Sequence, residues 1–259
     1  MRKKTFLLSI GACLIFASEC FSWPWSKNFD LPALARASRP AVVLIILFDS
    51  SNETVGSGTG FFISADGTLV TNGHVVELGT KAIAKTEDGR SFPILGVLAN
   101  DPIDDLVLLK VEGGKFPFLR LGDSNSTDLP VGERVAVIGS PLGLEGSVSD
   151  GVVSAFRPSK PDGNLIQITA AVSPGSSGSP VLNSSGEVVG IATLVLTGGQ
   201  SLNFAIPSVA VKGLSSAAAR NRVEPFETFV LGLRTAFPRN DENYNSYRRA
   251  YEARDWQGL

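Results

Sequence analysis

The chain holds a single histidine, His74, in Leu69-Val70-Thr71-Asn72-Gly73-His74-Val75-Val76, a short apolar run broken by Asn and Gly. Further along comes Pro174-Gly175-Ser176-Ser177-Gly178-Ser179-Pro180, a cluster of serines on a glycine-bearing turn. A serine hydroxyl is a poor nucleophile near neutral pH until an adjacent base takes its proton. Imidazole, with an unperturbed pKa of about 6.5, suits that task. Any Ser–His chemistry in this chain therefore runs through His74.

An acid candidate lies between the two motifs, in Asn100-Asp101-Pro102-Ile103-Asp104-Asp105-Leu106-Val107-Leu108-Leu109-Lys110, where carboxylates meet an apolar strand. A carboxylate bonded to the imidazole fixes its tautomer and stabilises the imidazolium that forms during proton transfer. Asp105 stands nearest the apolar run and is the expected acid, with Asp104 as the alternative. Gly175 and Gly178 permit a tight turn that projects a hydroxyl. The same turn can aim the N–H groups of Gly175 and Ser177 at one point, an oxyanion hole. These residue types alone leave Ser176, Ser177 and Ser179 open as nucleophile. Each motif by itself also has a plain structural reading: a packed histidine, a solvated carboxylate before a strand, a flexible loop. Their joint occurrence favours chemistry.

The elements that must position these residues read as short strands between turn signals. Candidate strands cover residues 41–48, 60–63, 68–70, 81–86, 92–99, 106–111, 134–138, 146–155, 165–169, 181–183, 188–196 and 203–206. Turns such as Ala65-Asp66-Gly67, Glu87-Asp88-Gly89 and Ser184-Ser185-Gly186 separate them. Strands at this spacing, without a long helical period, indicate an all-β sandwich or barrel. A short helix is expected over 209–219. A second is expected over 241–254, where Tyr244, Tyr247 and Tyr251 share one face expected to dock on the barrel, with a partner site as the alternative. Trp23, Trp25 and Phe29 stand among prolines ahead of the first strand.

Composition narrows the function classes. Met1-Arg2-Lys3-Lys4, an apolar run over 5–18 and small or polar residues around Cys20-Phe21-Ser22 have the layout of a signal peptide over 1–22, cleaved after Ser22. An uncleaved anchor is the alternative; Glu19 disfavours lipidation of Cys20. Cys13 and Cys20 both fall in this segment, so the expected mature chain has no disulfide and no thiolate chemistry. With one histidine a His-based zinc site would need several carboxylates, no His-Glu-x-x-His occurs, and neither a metal nor a cofactor is expected. The formal charge is −2 with both signs mixed, so nothing points to nucleic acid. Past residue 22 no uncharged apolar run is long enough to span a bilayer.

The chain resembles the trypsin-like protease domain of the HtrA/Deg family of exported serine proteases, within the chymotrypsin-fold superfamily. The resemblance covers most of 38–210. It runs through Gly56-Ser57-Gly58-Thr59-Gly60-Phe61-Phe62-Ile63-Ser64, the segment ending in His74-Val75-Val76, Asp105-Leu106-Val107-Leu108-Leu109-Lys110 and Gly139-Ser140-Pro141-Leu142-Gly143-Leu144. Gly151-Val152-Val153-Ser154, Thr169–Pro180 and Asn203-Phe204-Ala205-Ile206-Pro207 complete it. It implies two six-stranded antiparallel β-barrels with the active site in the cleft between them, the first carrying His74 and Asp105 and the second Ser177. It also implies a catalytic triad of His74, Asp105 and Ser177, with Gly175 and Ser177 as the oxyanion-hole donors.

This chain departs from the family pattern at Ser176, where Asn is usual, and at Ser179, where a second Gly is usual. With no carboxylate just before Ser177, trypsin-style activation by a new amino terminus is not expected. The segment after the protease part is too short for the PDZ domain usual in the family. The expected division is 1–22 signal peptide, 23–37 aromatic segment, 38–215 protease domain and 216–259 charged, partly helical tail. Val172 and the uncharged segment 194–202 are expected to line the substrate pocket and to favour cleavage after Val, Ala or Leu.

The resemblance thus implies an exported, periplasmic or secreted serine endopeptidase acting on unfolded or extended polypeptides in protein quality control. The alternative is an inactive, peptide-binding holdase or adaptor. The aromatic residues before the barrel leave a homotrimer open as the assembly.

Overall fold

Segments rich in Val, Ile, Leu and Phe alternate with turns bearing Gly, Asp and Ser, and pairing them edge to edge leaves no free sheet edge when the ring closes. The computed structural model describes residues 29–77, 79–122, 129–140, 146–159, 163–195, 203–219 and 221–236. Its strands form two closed six-stranded antiparallel barrels, as expected. The first contains β1 (Val42–Phe48), β2 (Thr54–Phe62), β3 (Thr68–Asn72), β4 (Lys81–Thr86), β5 (Ser91–Asp101) and β6 (Leu106–Val111). Its ring runs β1-β2-β3-β6-β5-β4 and closes through the β4–β1 pair. The second contains β7 (Arg134–Gly139), β8 (Ser147–Ser159), β9 (Gly163–Ile168), β10 (Pro180–Leu182), β11 (Val188–Val195) and β12 (Asn203–Pro207). Its ring runs β10-β11-β12-β9-β8-β7.

Every strand expected from the sequence forms, and the ends are where the two differ. β2 begins at Thr54 rather than at residue 60, because Ser57 and Gly56 pair with Ile46 and Leu47 of β1. Glycines hide that stretch from a reading based on β-propensity.

Some strands are apolar on both faces because both faces are buried. In β6, Val107, Leu109 and Val111 point into the first barrel, while Leu106 and Leu108 face a shared cluster between the barrels. That shared cluster also takes Phe61 and Val70 from the first barrel and Ile138, Leu182, Ile191, Phe204 and Ile206 from the second. A fully buried Leu or Phe contributes roughly 1.5–3 kcal/mol, so this seam holds the barrels in one fixed relation.

Helices close the ends. α1 (Leu31–Ser38) starts at Asp30, whose carboxylate accepts from the Ala33 N–H at 2.9 Å. α2 (Gly73–Val76) is a single turn after β3. α3 (Ser208–Ala218) falls within a residue of expectation and buries Val211, Leu214 and Ala218 in the shared cluster.

Beyond it, β13 (Glu224–Pro225) pairs with β5, and α4 (Phe226–Ala236) follows directly. The sequence assigns these residues to a charged tail. In the structure Phe226, Phe229 and Val230 belong to the core of the first barrel. Gly96 admits the added strand, since a Cβ there would overlap the Glu224 carbonyl. Residues 1–28, including Trp23 and Trp25, and the helix expected over 241–254 lie outside the described residues. The ring of Phe29 sits 4.4 Å from the Arg134 guanidinium, a contact with the chain's own second barrel.

Candidate active site

β3 carries the chain to the seam between the barrels, and α2 turns it sharply there. Val75 and Val76 are buried in the core of the first barrel, so the single turn is anchored and His74, with 39% of its side chain exposed, faces outward. Asp105 precedes β6, the neighbour of β3 in the ring. Its Oδ2 lies 2.7 Å from His74 Nδ1, and its Oδ1 accepts from the His74 backbone N–H at 2.9 Å. Its own carbonyl accepts from the Gly73 N–H and the Asn72 side-chain amide, each at 3.0 Å. Four contacts thus tie Asp105 to the segment 72–74. They hold it at φ +54°, a left-handed conformation that a non-glycine residue rarely adopts.

The carboxylate is 6% exposed, so its pairing with the imidazole is shielded from water. Asp104 does not take that place. Its N–H, with that of Ile103, donates to Asp101 Oδ1, which shapes the turn before β6.

The serine turn is held from both barrels. The Gly178 N–H donates to the Ala192 carbonyl of β11 at 2.9 Å, and the Ala192 N–H donates to the Ser179 carbonyl at 2.8 Å. From the first barrel, the Thr59 N–H donates to the Ser177 carbonyl at 3.0 Å. Gly178, at φ +86°, packs where a Cβ would overlap the Thr59 carbonyl and the Thr71 hydroxyl. Only glycine fits there, and the close approach seats Ser177 against the strands that lead into His74.

The three candidate serines separate by environment. Ser176 is 5% exposed, and its hydroxyl lies 3.4 Å from the Ser173 N–H as an acceptor. Ser179 is fully buried. Ser177 alone keeps part of its surface open. Gly175 has φ +90°, and neither its N–H nor that of Ser177 donates to an acceptor among the described residues. Two backbone donors beside a half-buried hydroxyl suit a developing oxyanion.

Val172 is 9% exposed and belongs to the core cluster of the second barrel, two residues past Ala170, whose carbonyl accepts from the Asn203 amide at 2.8 Å. Residues 196–202 of the expected pocket wall lie outside the described residues. No cluster of His, Cys, Asp or Glu fit for a metal occurs among the described residues, and no helix there is long and apolar enough to cross a membrane. Thr59, Thr71 and the Asn72 amide also shape the site, although the sequence does not mark them. Their partners are remote in the chain, so no local signal marks them.

A family model for the trypsin-like peptidase domain matches residues 58–191. A probable periplasmic serine endoprotease, DegP-like, from Pseudomonas putida (strain GB-1) is 43% identical over 165 residues, covering 61% of this chain and 34% of that protein. A protein of the same description from Halomonas elongata is 42% identical over 163 residues, with 61% and 34% covered. The matched part is thus about a third of the length of these relatives. Among solved structures, the serine endoprotease from Yersinia pestis has a TM-score of 0.65 at 26% identity, covering 75% of this chain and 68% of that one. The HtrA-type protease AlgW with a tripeptide has a TM-score of 0.64 at 28% identity, covering 73% and 64%. With a half-buried serine, a carboxylate-bound histidine and a family match through the segments that hold them, the chain belongs to the trypsin-like peptidase family and is similar within it to the HtrA-type, DegP-like endoproteases.

Proposed function

We propose that the protein is an exported serine endopeptidase of the periplasm that cleaves unfolded or extended polypeptides in protein quality control. Ser177 Oγ attacks the scissile carbonyl carbon while His74 takes the hydroxyl proton. The tetrahedral oxyanion rests on the N–H groups of Gly175 and Ser177. As it collapses, His74 returns the proton to the leaving amine, and an acyl enzyme remains. Water, deprotonated in turn by His74, releases the second product and restores the serine.

One observation carries this reading: the pairing of Asp105 with both the ring and the backbone of His74. Engaging Nδ1 assigns Nε2 to the exchange with serine. The carboxylate then offsets the charge that the imidazole gains. The DegP-like relatives, described as probable periplasmic serine endoproteases, support both the activity and the compartment.

A fluorophosphonate probe followed by peptide mapping tests nucleophile and activity together. The expected label is on Ser177, and Ser177→Ala and His74→Ala each lower casein cleavage by at least ~10³-fold. Peptide binding with no label on Ser177 would select the inactive, holdase reading instead.

A further inference from the structure

We propose that Thr59 is a positioning residue for acyl transfer: among the described residues it alone grips the carbonyls of both residues whose N–H groups form the oxyanion hole. Its hydroxyl donates to the Gly175 carbonyl at 2.7 Å, and its N–H donates to the Ser177 carbonyl at 3.0 Å. The inference rests on the functional reading above, which makes Gly175 and Ser177 the oxyanion donors.

The direction of the hydroxyl's bond is unambiguous. Thr59 Oγ1 accepts from the Ser140 N–H at 3.0 Å, and a carbonyl can only accept, so its one proton goes to Gly175. The Thr59 carbonyl in turn accepts from the Thr71 hydroxyl at 2.6 Å, in the strand that leads to His74. Thr59 is fully buried, its bonds with Ser140 and Thr71 are buried with it, and its bond to the Gly175 carbonyl is partly buried. Gly175 sits at φ +90°, where glycine has wide freedom, so its N–H direction needs an external constraint. Holding the carbonyl fixes the peptide plane on one side of its Cα. The torsions ψ and φ of Gly175 then set the N–H on the other side relative to a fixed plane.

The flanking sequence serves the same end. A Cβ on Gly58 would come 2.6 Å from Val75 Cγ1, and one on Gly60 would come 2.9 Å from Ile45 Cδ1. Both neighbours of Thr59 therefore lack side chains on the face turned to the first barrel's core. That lets the strand lie close to the residues anchoring His74, with the threonine directed at the second barrel. The Gly-Thr-Gly of β2 is thus a contact between barrels made at the nucleophile.

The test compares Thr59→Val, Thr59→Cys and Thr59→Ser in the full chain, with Thr86→Val as a control. Thr86 is a buried threonine whose hydroxyl bonds Asp88 and the Arg90 carbonyl in a different hairpin. Readouts are kcat and KM on labelled casein, the rate of fluorophosphonate labelling, and the urea midpoint, which gives the folded fraction. Thr59→Val is expected to lower kcat and the labelling rate on the order of 10²-fold, as for loss of one oxyanion donor, with KM little changed. Thr59→Ser restores most of the rate. Thr59→Cys, nearly the size of serine but a weak donor, falls between them. Thr86→Val shifts the urea midpoint and leaves kcat of the folded protein alone.

Wild-type labelling of folded Thr59→Val, or equal rates for Thr59→Cys and Thr59→Ser, would overturn the proposal. If Thr59→Val does not fold, the Ser–Cys comparison still decides it. Turnover persisting in Ser177→Ala would instead place the failure in the functional reading.

Discussion

Ser179 stands where the resemblance leads one to expect a second Gly, and the structure shows how its side chain is accommodated. The side chain is fully buried and its hydroxyl has no hydrogen-bond partner among the described residues, an arrangement that costs free energy. Space for it comes from Gly139, since a Cβ at that position would overlap the Ser179 hydroxyl. Ser179→Ala is therefore expected to stabilise the protein by ~1 kcal/mol in urea titrations, with kcat on casein unchanged. Gly139→Ala should destabilise the fold and depress activity, and adding Ser179→Gly should recover most of both. Simple additivity of the two changes would show that they do not share that space. The same scale explains why three adjacent serines are chemically unequal. Burial removes two of them from solvent and leaves Ser177.

The hairpin joining β2 to β3, at the opposite end of β3 from His74, shows how an element holds its register at a turn. Asp66 accepts from the N–H and hydroxyl of Thr68, and Lys110 of β6 donates to its carboxylate and its carbonyl. Partial burial works to raise the Asp66 pKa, but the Thr68 hydroxyl, Lys110 and the Thr68 N–H outweigh it. Together they lower the pKa from its ordinary 3.8 to about 2. A depressed folded-state pKa means that the contribution to stability is complete above the unfolded value and is lost as pH falls through the folded one. The stabilisation by Asp66 is thus present above 3.8 and fades toward 2. The carboxylate is 60% exposed, so screening keeps the effect below ~1 kcal/mol. Asp66→Asn should lower the urea midpoint at neutral pH, and the gap from wild type should narrow on acidification through that window. A gap independent of pH would show that the carboxylate's charge contributes nothing.

For the whole molecule, both barrels close through their own six strands, but the core of the first also takes side chains from residues 226–230. Phe226, Phe229 and Val230 pack in the same core as Val75 and Val76, the residues that anchor the turn bearing His74. Deleting a buried Phe side chain typically costs about 3–5 kcal/mol. Phe229→Ala should lose stability in that range, and a chain ending after Arg222 should lose more. Fluorophosphonate labelling should fall in step with the folded fraction of the first barrel. A truncated chain with unchanged stability would show that β13 and α4 are appendages rather than parts of the barrel.

Much of this architecture is legible in order along the chain. Alternating or doubly apolar runs bounded by Gly, Asp and Ser mark the twelve barrel strands, because side-chain period and turn chemistry are local properties. The helix over Phe226–Ala236 is not among the expected ones, because its apolar residues stand in a stretch that reads as a charged tail. What no local signal holds is pairing across the seam. Asp105 is distinguished from Asp104 by which carboxylate meets His74, 31 positions away. Ser177 is distinguished from its neighbours by which hydroxyl the fold leaves open. Thr59 meets Gly175 across 116 positions and Ser140 across 81. The sequence by itself determines the strands and supplies the reactive residue types, since backbone geometry and intrinsic basicity belong to single residues and short segments. Only the tertiary structure decides which of them meet, because a hydrogen bond depends on distance in space and closing two barrels is what sets that distance.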